Sequence, residues 1–258
     1  VMTTTKVDWL VAIPTYKRVQ TIMKRTLPTL LEGGVPPSLI HIFLADENER
    51  ASYAEALDPN SYNKLHVGVP GLGAQRNFIT DFFPDGQKLV QVDDDVDYVW
   101  ASPTKGSNDV SKIVDLVALF NSGFEACSAV GARIWGLYPL FNTYFMGGGV
   151  SFDLRAIIGT MYGNVNDRRH HLTCAVKSDI ERTLMYWRDD QVVVRFNGIA
   201  PKQRARTEPG GHQTGTRTLM LSKQASDYLV RTFPGLVVAA KPRKGGHSEV
   251  RLKRAGVK

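Results

Sequence analysis

Four short apolar runs in the first hundred residues, separated by stretches of helical spacing, constrain the fold of this chain more than any other feature. Trp9-Leu-Val-Ala-Ile13 ends in Pro14-Thr15, as a buried strand does. Gln20 to Leu31 carries Ile22, Met23, Leu27, Leu30 and Leu31 on one helical face and stops at Gly33-Gly34. Leu39-Ile-His-Ile-Phe-Leu44 reads as a second strand, and Tyr53 to Leu57 as a helical turn before Asp58-Pro59-Asn60. Leu65-His-Val-Gly-Val69 is a third strand, Gly73 to Phe83 a helix and Leu89 to Val92 a fourth strand. This alternation predicts an α/β fold with a mostly parallel central sheet flanked by helices. Ligands of such sheets collect beyond the carboxyl ends of the strands. Thr15 to Arg18, Asp46 and Asp93 to Asp95 all fall there.

The later half is less regular. Val110 to Phe124 has the spacing of an amphipathic helix and Ala126 to Trp135 that of a strand. Tyr144 to Phe152 is apolar but broken by Gly147, Gly148 and Gly149, where a substrate could approach the backbone closely. Ser178 to Trp187 fits a helix with Ser178 as its N-cap, and Gln191 to Phe196 a further strand. Pro201 to Gly215 is rich in Gly, Pro and basic residues and reads as a mobile loop.

With 258 residues, 43% of them apolar, the chain can bury one large core. No apolar run approaches the ~20 residues of a bilayer span. Val1 to Lys6 lacks the hydrophobic stretch of a signal peptide, so an intracellular (cytoplasmic) protein is expected. Cys127 and Cys174 then read as buried thiols. The net charge of +7 is uneven: residues 201–258 hold 13 Lys and Arg against 3 Asp and Glu, and the first 200 residues 19 against 22. A basic tail on a near-neutral body suits a polyanion such as nucleic acid, since phosphate neutralisation releases counterions.

The chemistry concentrates at Asp93-Asp94-Asp95, which ends the fourth strand with no Lys or Arg in the next few residues. Adjacent carboxylates repel, and a hard cation such as Mg²⁺ or Mn²⁺ would relieve them while keeping positions open for diphosphate oxygens. A solvated acidic turn is the plainer alternative. Upstream, Gly71-Leu-Gly73-Ala-Gln-Arg76-Asn77 places glycines before a helix with an arginine in its first turns, a combination suited to an anion.

Val11-Ala-Ile-Pro-Thr-Tyr-Lys-Arg18, Gly73-Ala-Gln-Arg-Asn77 and Val92-Asp-Asp-Asp95 together resemble the nucleotide-sugar half of the GT-A glycosyltransferases. Met146-Gly-Gly-Gly149 is similar to their glycine-rich acceptor segment, and Lys177-Ser-Asp-Ile-Glu-Arg182 to the x-Glu-Asp motif that supplies the catalytic base. The ordered set spans roughly residues 7–200. It departs from the pattern at Ser178, where a Glu is usual, and at Asp46-Glu47, where two Asp are usual. The resemblance implies a GT-A (Rossmann-like) core over residues 1–200, with the basic, irregular region 201–258 packed on the same domain. It implies a UDP-sugar donor, UDP-glucose first, held by Pro14, Thr15, Tyr16, Arg18, Asp46, Gly73, Arg76, Asn77, Asp93 and Asp94. It implies Mn²⁺ or Mg²⁺ on Asp93 and Asp95, with a third ligand from His212 or, failing that, His247. Asp179 is then the base, and Gly147, Gly148 and Trp135 meet the acceptor, with Tyr138 and Phe145 as further stacking candidates and His170-His171 as a phosphate or acceptor contact.

Thr26-Leu-Pro-Thr-Leu-Leu31, Ile42-Phe-Leu-Ala-Asp-Glu47 and Gly73 to Phe78 are similar to phage glycosyltransferases associated with TET/JBP-type DNA-base dioxygenases. This narrower resemblance implies DNA carrying 5-hydroxymethylcytosine or 5-hydroxymethyluracil as the acceptor. Arg204, Arg206, Arg217, Lys241, Arg243, Lys244, Arg251, Lys253 and Arg254 would meet its phosphates. The competing expectations are a GT-A enzyme acting on a polysaccharide, lipid or protein, a nucleotidyltransferase, and a non-catalytic nucleic-acid-binding protein with a structural acidic triplet.

Overall fold

The computed structural model describes residues 7–203, 218–242 and 246–253. Its first half follows the expected alternation: β1 (Trp9–Pro14), α1 (Val19–Lys24), α2 (Thr26–Glu32), β2 (Ile40–Leu44), α3 (Glu47–Ala56), β3 (Lys64–Val67), α4 (Leu72–Phe82) and β4 (Lys88–Val92). The expected helix from Gln20 to Leu31 is split at Arg25. Pro28 explains the break: it has no N–H for the Lys24 carbonyl, and it is tolerated only because a new helix starts just before it. The helical turn expected at Tyr53 lengthens to α3, because Asp46 accepts from Glu49 N and caps the helix upstream.

Beyond the triplet come β5 (Val96–Ala101), β6 (Ser111–Lys112), α5 (Leu116–Val130), β7 (Ile134–Leu137), β8 (Val150–Ser151), β9 (Met161–Val165) and α6 (Ser178–Asp190). Then follow β10 (Val194–Phe196), β11 (Ile199–Gln203), α7 (Leu219–Thr232), β12 (Val237–Ala240) and β13 (Glu249–Leu252). The helix expected over 110–124 begins instead after Asp115, whose carboxylate accepts from Ala118 N at 2.8 Å. It runs on to Val130 and ends at Gly131 in the left-handed region (φ 73), so the strand expected from Ala126 starts only at Ile134. The region from 201 onward is more regular than its composition suggests: it opens in β11 and returns as α7 with a β12–β13 hairpin, while 204–217 lie outside the described residues.

Eight strands form the central sheet in the order β3-β2-β1-β4-β9-β7-β10-β8, with β9 and β8 antiparallel to their neighbours and the rest parallel. Strand periodicity divides its two faces. Val11 and Ile13 join Ile22, Leu30 and Phe120 in the main core, under α1, α2 and α5. Ala12 and Leu89 point the other way, to Ile79 of α4 and to Phe83 at its C-cap. A second cluster packs α6 against α7 through Leu184, Trp187 and Leu229, with Phe233 at the C-cap of α7. A smaller sheet, β11-β5-β6, continues directly from the triplet, which therefore sits at the joint between the two sheets.

At the β2–β3 edge, His41 Nδ1 and His66 Nε2 lie 2.9 Å apart, and His66 is wedged between Phe43 and Phe82. Burial first, then the neighbouring His41, Lys64 and Arg50, push His66 down to about 4 from 6.5. Between those values the unfolded chain binds a proton that the folded one refuses, so stability is present above pH 6.5 and lost as pH falls through about 4. His66→Phe should remove up to about 3 kcal/mol of that acid sensitivity, read as a flatter dependence of melting temperature on pH. An unchanged slope would clear the pair of this role.

Candidate active site at the carboxyl edge of the sheet

The triplet's backbone is fixed from both sides. Asp93 N donates to Thr160 O at 2.9 Å, while Thr26 Oγ1 donates to Asp93 O at 2.8 Å and accepts from Val96 N at 3.0 Å. Its side chains meet cations that the local sequence did not offer. Arg18 Nη1 lies 3.1 Å from Asp94 and 3.4 Å from Asp95, and Arg76 Nη2 lies 3.1 Å from Asp93. The repulsion expected from sequence is thus partly relieved by arginines from α1's cap and α4. With all three carboxylates ionised, Arg18 and Arg76 together carry fewer charges than the triplet does.

The three carboxylates are not equivalent. Asp94 accepts from Thr15 Oγ1 at 2.8 Å and from Arg18 at 3.1 Å, one bond to each oxygen. It serves as an internal counter-ion to Arg18 and an acceptor for Thr15, two other residues expected at the donor. Asp93 Oδ2 and Asp95 Oδ1 instead converge on one atom, Gln203 Nε2, at 3.2 and 3.1 Å. Two hard oxygens aimed at a common point fit Mn²⁺ or Mg²⁺. Burial, with lesser contributions from neighbouring carboxylates, raises Asp94 to about 6 and Asp95 to about 7. Charge at this corner is held at a cost, which is the condition under which a cation gains most.

The loop after β1 is held by residues the sequence reading missed. Tyr53 Oη lies 2.8 Å from Thr15 Oγ1 and accepts from Arg18 N at 3.1 Å. The buried Glu49 carboxylate accepts from the backbone N–H of Lys17 and of Ala45. Lys17 itself is left-handed (φ 53), a strained turn that carries Arg18 toward the triplet. Pro14 is buried at the end of β1, and Tyr16 is half-buried beside it. Periodicity could not reveal Glu49 or Tyr53, because a helix reading predicts faces and not partners 30 residues away. Asp46 caps α3, and Asn77 closes two bonds with the Leu172 backbone, at 2.9 and 2.7 Å. Both therefore also hold local structure in place. Gly73 lies in the first turn of α4, whose N-cap Gly71 has φ 93.

Asp179 sits in the first turn of α6 and is half-buried. The cap is not Ser178 but Lys177, left-handed at φ 62, whose ammonium donates to Ser222 Oγ of α7 at 2.8 Å. Asp179's charge acts on Arg76, the guanidinium that binds Asp93, so the candidate base and the carboxylate cluster both contribute to the field at one cation. It also acts on Arg182, which is buried with its guanidinium carbon 3.7 Å from the Tyr162 ring centroid and donates to Ile157 O at 3.1 Å. Arg182 is a second cation that the sequence reading passed over.

On the acceptor side, Trp135 is fully buried, enclosed by Phe120, Phe124 and Phe196, and is a core residue and not an acceptor platform. Gly148 has another reason to be glycine: a Cβ there would stand 2.5 Å from Pro103 O. Gly147 and Gly148 do line a cavity of about 590 Å³, together with Phe145, Arg155, Arg195 and Ile180, the neighbour of Asp179. Arg251 of β13 borders the same cavity, and Lys241 and Lys253 are exposed on that unit. Arg204, Arg206, Arg217, Arg243, Lys244, Arg254 and His212 lie outside the described residues. His247, beside β13, is bonded to none of the three carboxylates among the described residues. His170 and His171 are taken by Asp189 and Asp81, at 2.8 and 2.7 Å.

Asp167, His170 and Asp189 form a separate cluster with the spacing of metal ligands. Arg133 already bonds Asp167 at 2.8 Å and reaches Asp189 at 3.3 Å and Asp190 at 2.8 Å, and Arg169 covers Asp167 as well. These arginines hold Asp167 well below the usual carboxylate range. The cluster works as an ion-pair clamp between the end of β9 and the end of α6.

No protein-family model matches the chain, and no curated protein matches it. Among solved structures, the chain is similar to a mannosyltransferase from Pyrobaculum calidifontis in complex with GDP-Man and Mn²⁺, at 13% identity and a TM-score of 0.48. That match covers 75% of this chain and 58% of the mannosyltransferase, so this chain spans little more than half of its length. It is also similar to glucosyl-3-phosphoglycerate synthase from Mycobacterium tuberculosis in complex with Mn²⁺, UDP-glucose and phosphoglyceric acid. There the identity is 12% and the TM-score 0.49, over 89% of this chain and 82% of the other.

Proposed function

We propose that this protein is a metal-dependent glycosyltransferase of GT-A architecture. It moves a sugar from a UDP-sugar to the hydroxyl of 5-hydroxymethylcytosine or 5-hydroxymethyluracil in DNA. The observation that carries the donor half is the convergence of Asp93, Asp95 and Arg76 beyond the strand ends, with the charge of Asp179 felt at the same guanidinium. Asp93 and Asp95 would hold Mn²⁺ or Mg²⁺, which when bound neutralises a diphosphate and eases its departure. Arg76 adds fixed positive charge at the same place without reorganising. Asp179 takes the proton of the attacking acceptor hydroxyl. The first turn of α4 offers backbone N–H groups to a phosphate.

The acceptor half draws on the sequence resemblance, on the 13 basic against 3 acidic residues beyond position 200, and on a cavity that brings three arginines beside Asp179's helix. A hydroxymethyl group on a pyrimidine projects into the major groove, so groove binding or nucleotide extrusion would each expose it. The test is direct: UDP-glucose, Mn²⁺ and the protein are incubated with DNA containing either modified base or none, and the nucleosides are weighed. A gain of one hexose on modified DNA alone is expected. Unaltered nucleosides on every DNA, with UDP still released, would reject the DNA acceptor and keep the donor reading. DNA binding should also fall steeply between about 50 and about 200 mM salt, as phosphate contacts require.

A further inference from the structure

The ladder between β5 and β11 contains one irregularity, and it falls beside the triplet. Pairing runs from Ile199↔Ala101 to Lys202↔Tyr98 and then jumps to Gln203↔Val96, leaving Asp97 out of the register. Asp97 is drawn aside to Arg25, while its carbonyl accepts from Thr29 Oγ1. A bulge of this kind re-aims the side chains next to it. Here it moves Gln203 one place along β5, and the Gln203 amide reaches both Asp93 Oδ2 and Asp95 Oδ1, at 3.2 and 3.1 Å.

Those two distances have a second meaning. A small octahedral ion with bonds of about 2.1 Å sets its neighbouring ligand atoms about 3.0 Å apart. The Gln203 amide atom therefore stands at close to ligand-to-ligand distance from each of the two carboxylate oxygens. An amide carries an acceptor oxygen and a donor nitrogen on one flat group, and a half-turn of its last torsion exchanges them with almost no change of shape. With nitrogen inward the group suits two carboxylates alone. With oxygen inward it suits a cation that those carboxylates share.

We propose that Gln203 is the third protein ligand of the divalent ion, presenting Oε1 after that half-turn. The proposal rests on the metal reading of Asp93 and Asp95 given above. It fills the place for which the sequence offered His212 or His247, and it makes the donor set all-oxygen. Such a set favours Mg²⁺ and Mn²⁺ over ions that prefer imidazole.

The test is a titration of Mn²⁺ into the full chain at mildly alkaline pH, with unbound Mn²⁺ read from its electron paramagnetic resonance signal. Wild type, Gln203→Ala and Gln203→Glu are compared without any sugar nucleotide, and metal-free melting temperatures report folding. Gln203→Ala should bind at least about ten-fold more weakly, since even groups supporting a metal from behind cost that much. Gln203→Glu, which keeps the reach and supplies a stronger oxygen ligand, should bind at least as tightly as wild type. If the alanine variant does not fold, the glutamate comparison decides alone, and weaker binding there overturns the assignment. An alanine variant that binds as tightly as wild type, or more tightly, overturns the Gln203 role while the metal reading stands. Wild type that binds no Mn²⁺ overturns both.

Discussion

Asp179→Asn should leave binding of UDP-sugar and Mn²⁺ unchanged and slow sugar transfer by about 10²–10⁴-fold, the range that loss of a positioned general base produces. The substitution keeps shape and hydrogen bonding to Ile180 N, so α6 should still start where it does. What it removes is the carboxylate charge that acts on Arg76. Glu181 supplies the control. Its carboxylate accepts from Thr173 N at 2.9 Å and from Cys174 N at 2.8 Å and is buried, so Glu181→Gln should lower melting temperature more than it alters the chemistry. Donor affinity by calorimetry and single-turnover transfer separate the two. Transfer near the wild-type rate in Asp179→Asn would place the base elsewhere.

The second large effect is a melting temperature that depends on pH and on Mn²⁺ together. Asp94 and Asp95 are raised to about 6 and about 7, burial being the main cause. A carboxyl with a raised pKa holds its proton in the folded protein where the unfolded chain has released it. Its contribution is therefore present at low pH and lost as pH rises through 6 and 7. For the pair this amounts to about 2–4 kcal/mol, or roughly 5–10 °C between about pH 5 and 8. A cation requires both of its carboxylates ionised, so Mn²⁺ should add most at the alkaline end. At about a hundred times its dissociation constant it returns about 2.7 kcal/mol, enough to cancel most of the slope. Scanning fluorimetry at several pH values, with and without Mn²⁺, checks this. A slope of the opposite sign, or a Mn²⁺ gain largest in acid, would contradict the ionisation scheme.

The alternation of apolar runs was sufficient to foresee β1 to β4 and their parallel order, because buried parallel strands leave continuous apolar stretches. It was less sufficient beyond Phe124. There α5 is apolar enough to be mistaken for a strand at its end, and only Gly131 marks its stop. The triplet stood out because charges at a strand end are costly, yet its partners Arg18, Arg76 and Gln203 come from 17 to 110 residues away and leave no local signature. Trp135 shows the reverse error: an aromatic near a glycine-rich segment reads as a platform, but Gly123 and Gly163 are small because its ring fills the space above them. Asp46 and Asn77 fit a motif by position, while their side chains are spent on a helix cap and a loop.

Helix α6 is bolted along its whole length. Lys177 ties its start to Ser222, Thr183 receives Ile157 N, Tyr186 donates to Val165 O, and Arg133 grips Asp189 and Asp190 at its far end. A rod anchored at four stations cannot swing to meet guests of different bulk. On the function proposed above, tolerance for a larger or smaller acceptor falls to the rest of the cavity lining, Phe145, Gly147 and Gly148 among it. That lining, and not the helix, is the place to begin when varying which acceptor the proposed transferase takes.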